Sequence, residues 1–145
     1  MRIVLDTNVL VSALVAAKSA PAQILARCHS GELELVASPD SLAELRRVLH
    51  YPHIRKRLTY SDEQIEGYVA YLEQTAVLLT PTITVQAVPG DPDDDLFVAL
   101  ALEAQAPYLV SGDKHLLSVG HYAGVTILKP AAFLQLWQTL HPEPE

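Results

Sequence analysis

Cysteine is nearly absent from this chain, whose 145 residues include one, Cys28. A single thiol closes no intramolecular disulfide and builds no cysteine metal cage. Its neighbours Ile24, Leu25 and Ala26 predict a helix, so Cys28 reads as a small buried apolar residue. No Gly/Ser-rich linker, low-complexity tract or internal repeat divides the sequence. Half of it is apolar, enough for a real core, and the expectation is one domain over residues 1–145. The apolar runs are too short to span a bilayer, and Met-Arg leads straight into a strand-like run rather than a signal peptide. A cytoplasmic protein with no membrane partner is expected. Positive charge is also scarce: ten Lys and Arg against seventeen Asp and Glu give −7, which argues against a generic nucleic-acid binder. Acids gathered around a cation are locally neutralised, however, so net charge alone does not decide. The six histidines lack HExxH-type spacing, which speaks against zinc, and no P-loop, GxGxxG or Ser-His-Asp signature is present.

Carboxylates are what the chain does have, at telling places. Ile3-Val4-Leu5-Asp6, Ser41-Leu42-Ala43-Glu44, Asp91-Pro92-Asp93-Asp94-Asp95 and Leu109-Val110-Ser111-Gly112-Asp113 each bring acids to where an α/β sheet would deliver them to one edge. Carboxylates repel, so a fold that gathers several needs a cation to hold them. A divalent-metal site is therefore the first hypothesis, and metal-assisted phosphodiester hydrolysis the first chemistry.

The coarse layout supports such a convergence. Arg2–Leu5 reads as a buried strand stopped by Asp6-Thr7-Asn8, followed by helices over Val9–Ala17 and Pro21–His29. Leu33–Ala37 is a second strand. Ser38-Pro39 starts a helix that runs to about His50 and that Pro52 ends. Ser61-Asp62-Glu63-Gln64 is a capping box, and Ile65, Tyr68, Val69 and Leu72 follow at helical spacing. Val77–Leu79 is a third strand, Pro89–Pro92 a turn, and Asp94 opens a helix through Glu103, its acids suiting the positive end of the dipole. Tyr108–Val110 and Val125–Leu128 are further strands, and the last helix starts near Pro130. This alternation implies an α/β/α sandwich around a mainly parallel sheet, whose site lies beyond the carboxyl ends of the strands.

Taken singly, the acids differ in weight. Asp6 directly follows an apolar strand, so its carboxylate is semi-buried and hard to explain by solvation. Thr7 reads as a cap for the next helix, and Asn8 either orients a carboxylate or a water, or is ordinary turn chemistry. Glu44 lies beside the Leu42, Leu45, Leu49 stripe, where an exposed glutamate is commonplace. Asp91, Asp93, Asp94 and Asp95 repel strongly unless hydrated or counter-charged, and which of them is a ligand stays open. Asp113 sits in a Ser-Gly-Asp-Lys turn, with Lys114 free to pair with it or with a phosphate. Arg46, Arg47, Arg55, Lys56 and Arg57, joined by His50 and His53, form a run that no acid interrupts from Leu45 to Ser61. It is either a phosphate-binding flank near the Glu44 end of the site or a solvated face.

Four stretches in order, VLDTNVLVSAL, SPDSLAELRRVL, DPDDDLFVALALEAQAPYLVSGDKHLL and ILKPAAFL, resemble the PIN-domain ribonucleases. The likeness is to the bacterial and archaeal subgroup regarded as toxins of type II toxin–antitoxin systems. It implies an α/β/α sandwich and an acidic pocket binding one or two Mg2+ ions, with Mn2+ able to substitute. Carried over by position, the family's acids fall on Asp6, Glu44, Asp94 and Asp113, with Asp95 a near rival of Asp94. Ser111 stands where the family has Thr or Ser. Asp6 and Asp94 are the expected direct ligands, while Asp113 and Glu44 bind a second ion or act through waters. An RNA substrate, an antitoxin covering the groove and a homodimer are the implied partners. Two readings compete: a catalytically idle PIN-like binding module, and a receiver-type phospho-acceptor domain, to which Lys129-Pro130 bears some likeness. The receiver's adjacent acidic pair after the first strand is missing, and no acceptor Asp follows Val77–Leu79. A dehalogenase-type phosphatase fails too, because Asp6-Thr7-Asn8 has no second acid two residues on.

Overall fold

The β-branched opening forms the expected strand, β1 (Arg2–Leu5), buried from Ile3 onward. The computed structural model describes residues 1–142. The other strands are β2 (Glu34–Ala37), β3 (Val77–Leu78), β4 (Tyr108–Val110), β5 (His121–Tyr122) and β6 (Val125–Leu128). Together they make one sheet in the order β3-β2-β1-β4-β6-β5, parallel throughout except for the short β5–β6 pairing.

Side chains alternate across a strand, and here they divide between two cores. Ile3, Leu5, Leu35 and Val110 face one core, built with α1 (Thr7–Val15), α2 (Ala20–His29), α3 (Pro39–Leu49), α5 (Asp62–Thr75) and α8 (Pro130–Leu140). Val4, Val36, Leu109 and Ile127 face the other, covered by α6 (Pro92–Glu103) and α7 (Lys114–Val119). Helices on both faces of a mostly parallel sheet make the three-layer sandwich. Leu42, Leu45 and Leu49 are the stripe that docks α3, each at most 1% exposed. Burying such a side chain contributes about 1.5–3 kcal/mol. No helix among the described residues is long and apolar enough to cross a membrane.

Several boundaries differ from the sequence expectation, each for a local reason. α1 starts at Thr7 rather than Val9, because Asp6 and not Thr7 is its cap. α6 starts at Pro92, with Asp91 as its cap, rather than at Asp94. Pro52 follows the end of α3 and also opens a short helix, α4 (Pro52–Arg55), since proline fits the first helical position. The Ser-Gly-Asp-Lys turn proves to be the entry to α7, which leads to β5. The capping boxes stand as built: Ser61 with Gln64, and Ser38 with Ser41, where a serine hydroxyl replaces the usual Glu or Gln.

The strand order positions the site. From β1 the chain moves outward through β2 to β3, then returns to β4 on the other flank of β1. The order therefore reverses between β1 and β4, the kind of place where open α/β sheets leave a crevice beyond their carboxyl ends. Asp6 follows β1 and Ser111 follows β4 at that point.

Candidate metal centre

Asp6 is 4% exposed and anchored at both oxygens. Its Oδ1 accepts the Val9 N–H at 2.9 Å, capping α1, and its Oδ2 accepts the Ser111 hydroxyl. Burial raises its pKa above the ordinary carboxylate value. The hydrogen bonds from Ser111 and Val9 pull it back, and the charges of Asp113 and Glu44 push it up again. Ser111, fully buried, also accepts the Asp113 N–H on its Oγ at 2.9 Å. One hydroxyl thereby fixes the spacing of two acidic turns.

Asp113 caps α7, its Oδ1 accepting the N–H groups of His115 at 2.8 Å and Leu116 at 3.1 Å. Glu44 comes from α3 and is held at Oε2 by the Thr7 hydroxyl at 3.0 Å. Thr7, read from sequence as a cap, is instead the buried residue that orients Glu44.

Asp94 completes the group. Its Oδ2 is shielded from solvent and has no hydrogen-bond donor. Burial, the adjoining Asp91 carboxyl and the charges of Asp113, Asp91 and Asp6 push its pKa up to about 7. As carboxylates, Asp91 and Asp94 offer each other acceptors alone, so Asp94 bonds to Asp91 only by holding a proton. Asp91 itself is kept below the ordinary range, first of all by the Asp94 N–H, which reaches its Oδ1 at 3.1 Å.

The neighbouring acids part company here. Asp95 accepts the N–H groups of Ala87 at 2.9 Å and Val88 at 2.7 Å, tying down the loop before α6. Of the two rivals, Asp94 is the one that shares electrostatic contact with Asp6 and Asp113. Asn8 is exposed and makes no side-chain hydrogen bond among the described residues. The basic run does not present five free cations. Arg46 bridges Glu66 and Glu73, both at 2.8 Å, and Arg55 holds Asp62 at 3.0 Å. His50 pairs with Glu66 at 3.2 Å. Arg47, Lys56 and Arg57 are exposed and carry no ion pair among the described residues, as is also true of Lys114. A cavity of about 430 Å³ lies elsewhere, under Leu14, Leu25, Ile65 and Tyr68, and no carboxylate lines it among the described residues.

Glu44, Asp94 and Asp113 thus come from three distant stretches into electrostatic reach of Asp6 at one end of the sheet. Their donor set is all oxygen, with hydroxyls fixing two carboxylates and one carboxylate oxygen left orphaned. Such a set fits a hard dication, Mg2+ or Mn2+.

The PIN-domain family profile matches residues 2–115. MJ1680, an uncharacterised protein of Methanocaldococcus jannaschii, is 29% identical over 119 residues, 82% of this chain and 75% of the relative. The solved PIN domain of human SMG5 superposes with a TM-score of 0.47 at 14% identity, covering 94% of this chain and 99% of that one.

Proposed function

This chain belongs to the PIN-domain family, whose members are generally nucleases, and from that premise we propose a divalent-cation-dependent endoribonuclease. The observation that carries the reading is the orphaned Asp94 oxygen among carboxylates from four segments, none of them paired with Lys or Arg among the described residues. Asp6, Asp94 and Asp113 would hold the cation, with Glu44 assisting through water or at a second ion. When bound, the cation supplies Lewis-acid stabilisation of developing phosphoryl charge and makes water a better nucleophile near neutrality.

The chain's own groups have separable tasks. Ser111 keeps the Asp6 carboxylate turned into the crevice and spaces it from Asp113. Glu44, anchored at Oε2 by Thr7, keeps Oε1 for orienting a water or accepting its proton. Lys114, exposed beside Asp113, and the unpaired Arg47, Lys56 and Arg57 supply the positive charge that an RNA backbone requires on an acidic protein. The finer role we propose is toxin of a type II toxin–antitoxin pair, acting as a homodimer, with the antitoxin covering the carboxylates.

The test is cleavage of a mixed single-stranded RNA by purified protein with Mg2+ or Mn2+, beside Asp94→Asn. Ion-dependent cleavage lost in the variant supports the reading, and RNA left intact under every ion refutes it. Growth arrest on expression, relieved by a co-expressed protein from the same operon, tests the toxin role.

A further inference from the structure

His115 belongs to no ligand motif, yet the fold brings it to two of the acids. α6 and α7 both begin at the crevice, one capped by Asp91 and the other by Asp113. A ring nitrogen of His115 and one carboxylate oxygen each of Asp91 and Asp94 all lie within 4.8 Å of one another. The two carboxyls adjoin each other, and little else engages the three groups. The Asp94 Oδ2 is shielded and has no donor. The His115 Nδ1 stands 4.0 Å from the Asp113 Oδ1, beyond hydrogen-bond length, and the ring bonds to nothing else among the described residues. Asp91 is held in place by the Asp94 N–H at 3.1 Å, with its carboxyl against that of Asp94.

Two carboxylates and an unprotonated imidazole nitrogen are three electron-pair donors facing one space. Donors around one small dication, each at about 2.0–2.2 Å, stand roughly 3–4 Å apart, which an exposed histidine reaches by a rotamer adjustment. Imidazole shifts the preference of such a site away from magnesium and towards the zinc end of the divalent series. We infer that Asp91, Asp94 and His115 form a second cation site that selects Zn2+ over Mg2+, sharing Asp94 with the oxygen-only centre. Three protein donors leave a coordination position for water. The inference shares Asp94 with the nuclease reading but does not depend on cleavage.

The experiment is calorimetric titration of Zn2+ into the full chain in excess Mg2+, for wild type, His115→Ala and Asp6→Asn, each checked for folding by circular dichroism. The His115 ring proton, assigned by its loss in His115→Ala, is followed by NMR in the same titration. The expected result is one saturable zinc site that shifts this proton, survives Asp6→Asn and weakens at least about tenfold in His115→Ala, since even partners behind a ligand are worth ten- to a hundredfold. Equal zinc affinity in wild type and His115→Ala, or an unmoved His115 proton, overturns the site. The nuclease reading is judged separately: cleavage lost in Asp6→Asn stands whatever zinc does, and zinc binding lost in His115→Ala stands even if no RNA is cut.

Discussion

Replacing Asp6 with asparagine removes a charge from the centre of the cluster while leaving an oxygen to cap α1. In the ion-free protein the new amide oxygen still accepts the Val9 N–H, but the amide nitrogen replaces the oxygen to which the Ser111 hydroxyl donates, so that hydroxyl turns to accept and its own proton loses its partner. One charge-assisted hydrogen bond becomes neutral, at a cost of about 1 kcal/mol, and the stranded buried hydroxyl costs about 1–3 kcal/mol more. Against this, the repulsion of Asp6 by Asp113 and Glu44 disappears. Unit charges a few ångströms apart at an effective dielectric near 20 repel by about 2–4 kcal/mol. Gain and cost offset one another to within about 2 kcal/mol, or roughly 8 °C in melting temperature for a chain of this size. With Mg2+ or Mn2+ at a hundred times its Kd, wild type gains about 2.7 kcal/mol that the variant does not. Thermal melts in EDTA should therefore lie within that margin of one another, with wild type gaining selectively in excess ion. A variant melting well below wild type in EDTA would refute the reasoning, because Asp6 would then be a structural hydrogen-bond hub rather than a charge kept for a cation.

Further outcomes follow from the same geometry. Ser111→Ala strands the Asp6 Oδ2 and the Asp113 N–H, so urea unfolding should show a loss of about 2–4 kcal/mol together with weaker ion binding. Asp95→Ala releases the Ala87 and Val88 N–H groups and should lower stability by about 1.5–3 kcal/mol with the ion still bound, whereas Asp94→Asn should stay folded and lose the ion. Calorimetry on both variants checks this contrast. The Asp94 carboxyl, raised from 3.8 to about 7, gives two opposite pH slopes. Folded protein keeps a proton that the unfolded chain has lost, so this contribution to ion-free stability is full below the unfolded value and is lost as pH rises through about 7. The ion displaces that proton, so its affinity should strengthen over the same window, by about tenfold per pH unit below neutrality.

How much of this was legible in the sequence depended on whether the cause was local. Arg2–Leu5 announced a strand by its β-branched run, and Ser61 with Gln64 announced a helix start by side chains that reach only three residues. The placing of Asp6 and Asp113 near each other was implied by strand ends alone, but their contact through Ser111 depends on β1 and β4 being neighbours, which no local pattern states. The roles that Thr7 and Asp95 play were hidden for the same reason: Thr7 bonds Glu44 from another helix, and Asp95 bonds backbone groups of the preceding loop. Pro52 ends α3 as expected, but α4 went unread because the same ring that cannot continue one helix is well suited to begin the next. The uninterrupted basic run looked free in one dimension, while Glu66, Glu73 and Asp62 of α5 lie across from it in three.

The central claim is that these carboxylates hold a divalent cation, and calorimetric titration of Mg2+ and Mn2+ into wild type, Asp6→Asn and Asp94→Asn at pH 7.5 tests it most directly. Saturable binding by the wild-type chain, lost in both variants, is the expected result. No saturable binding by wild type, or unchanged binding by either variant, would contradict it.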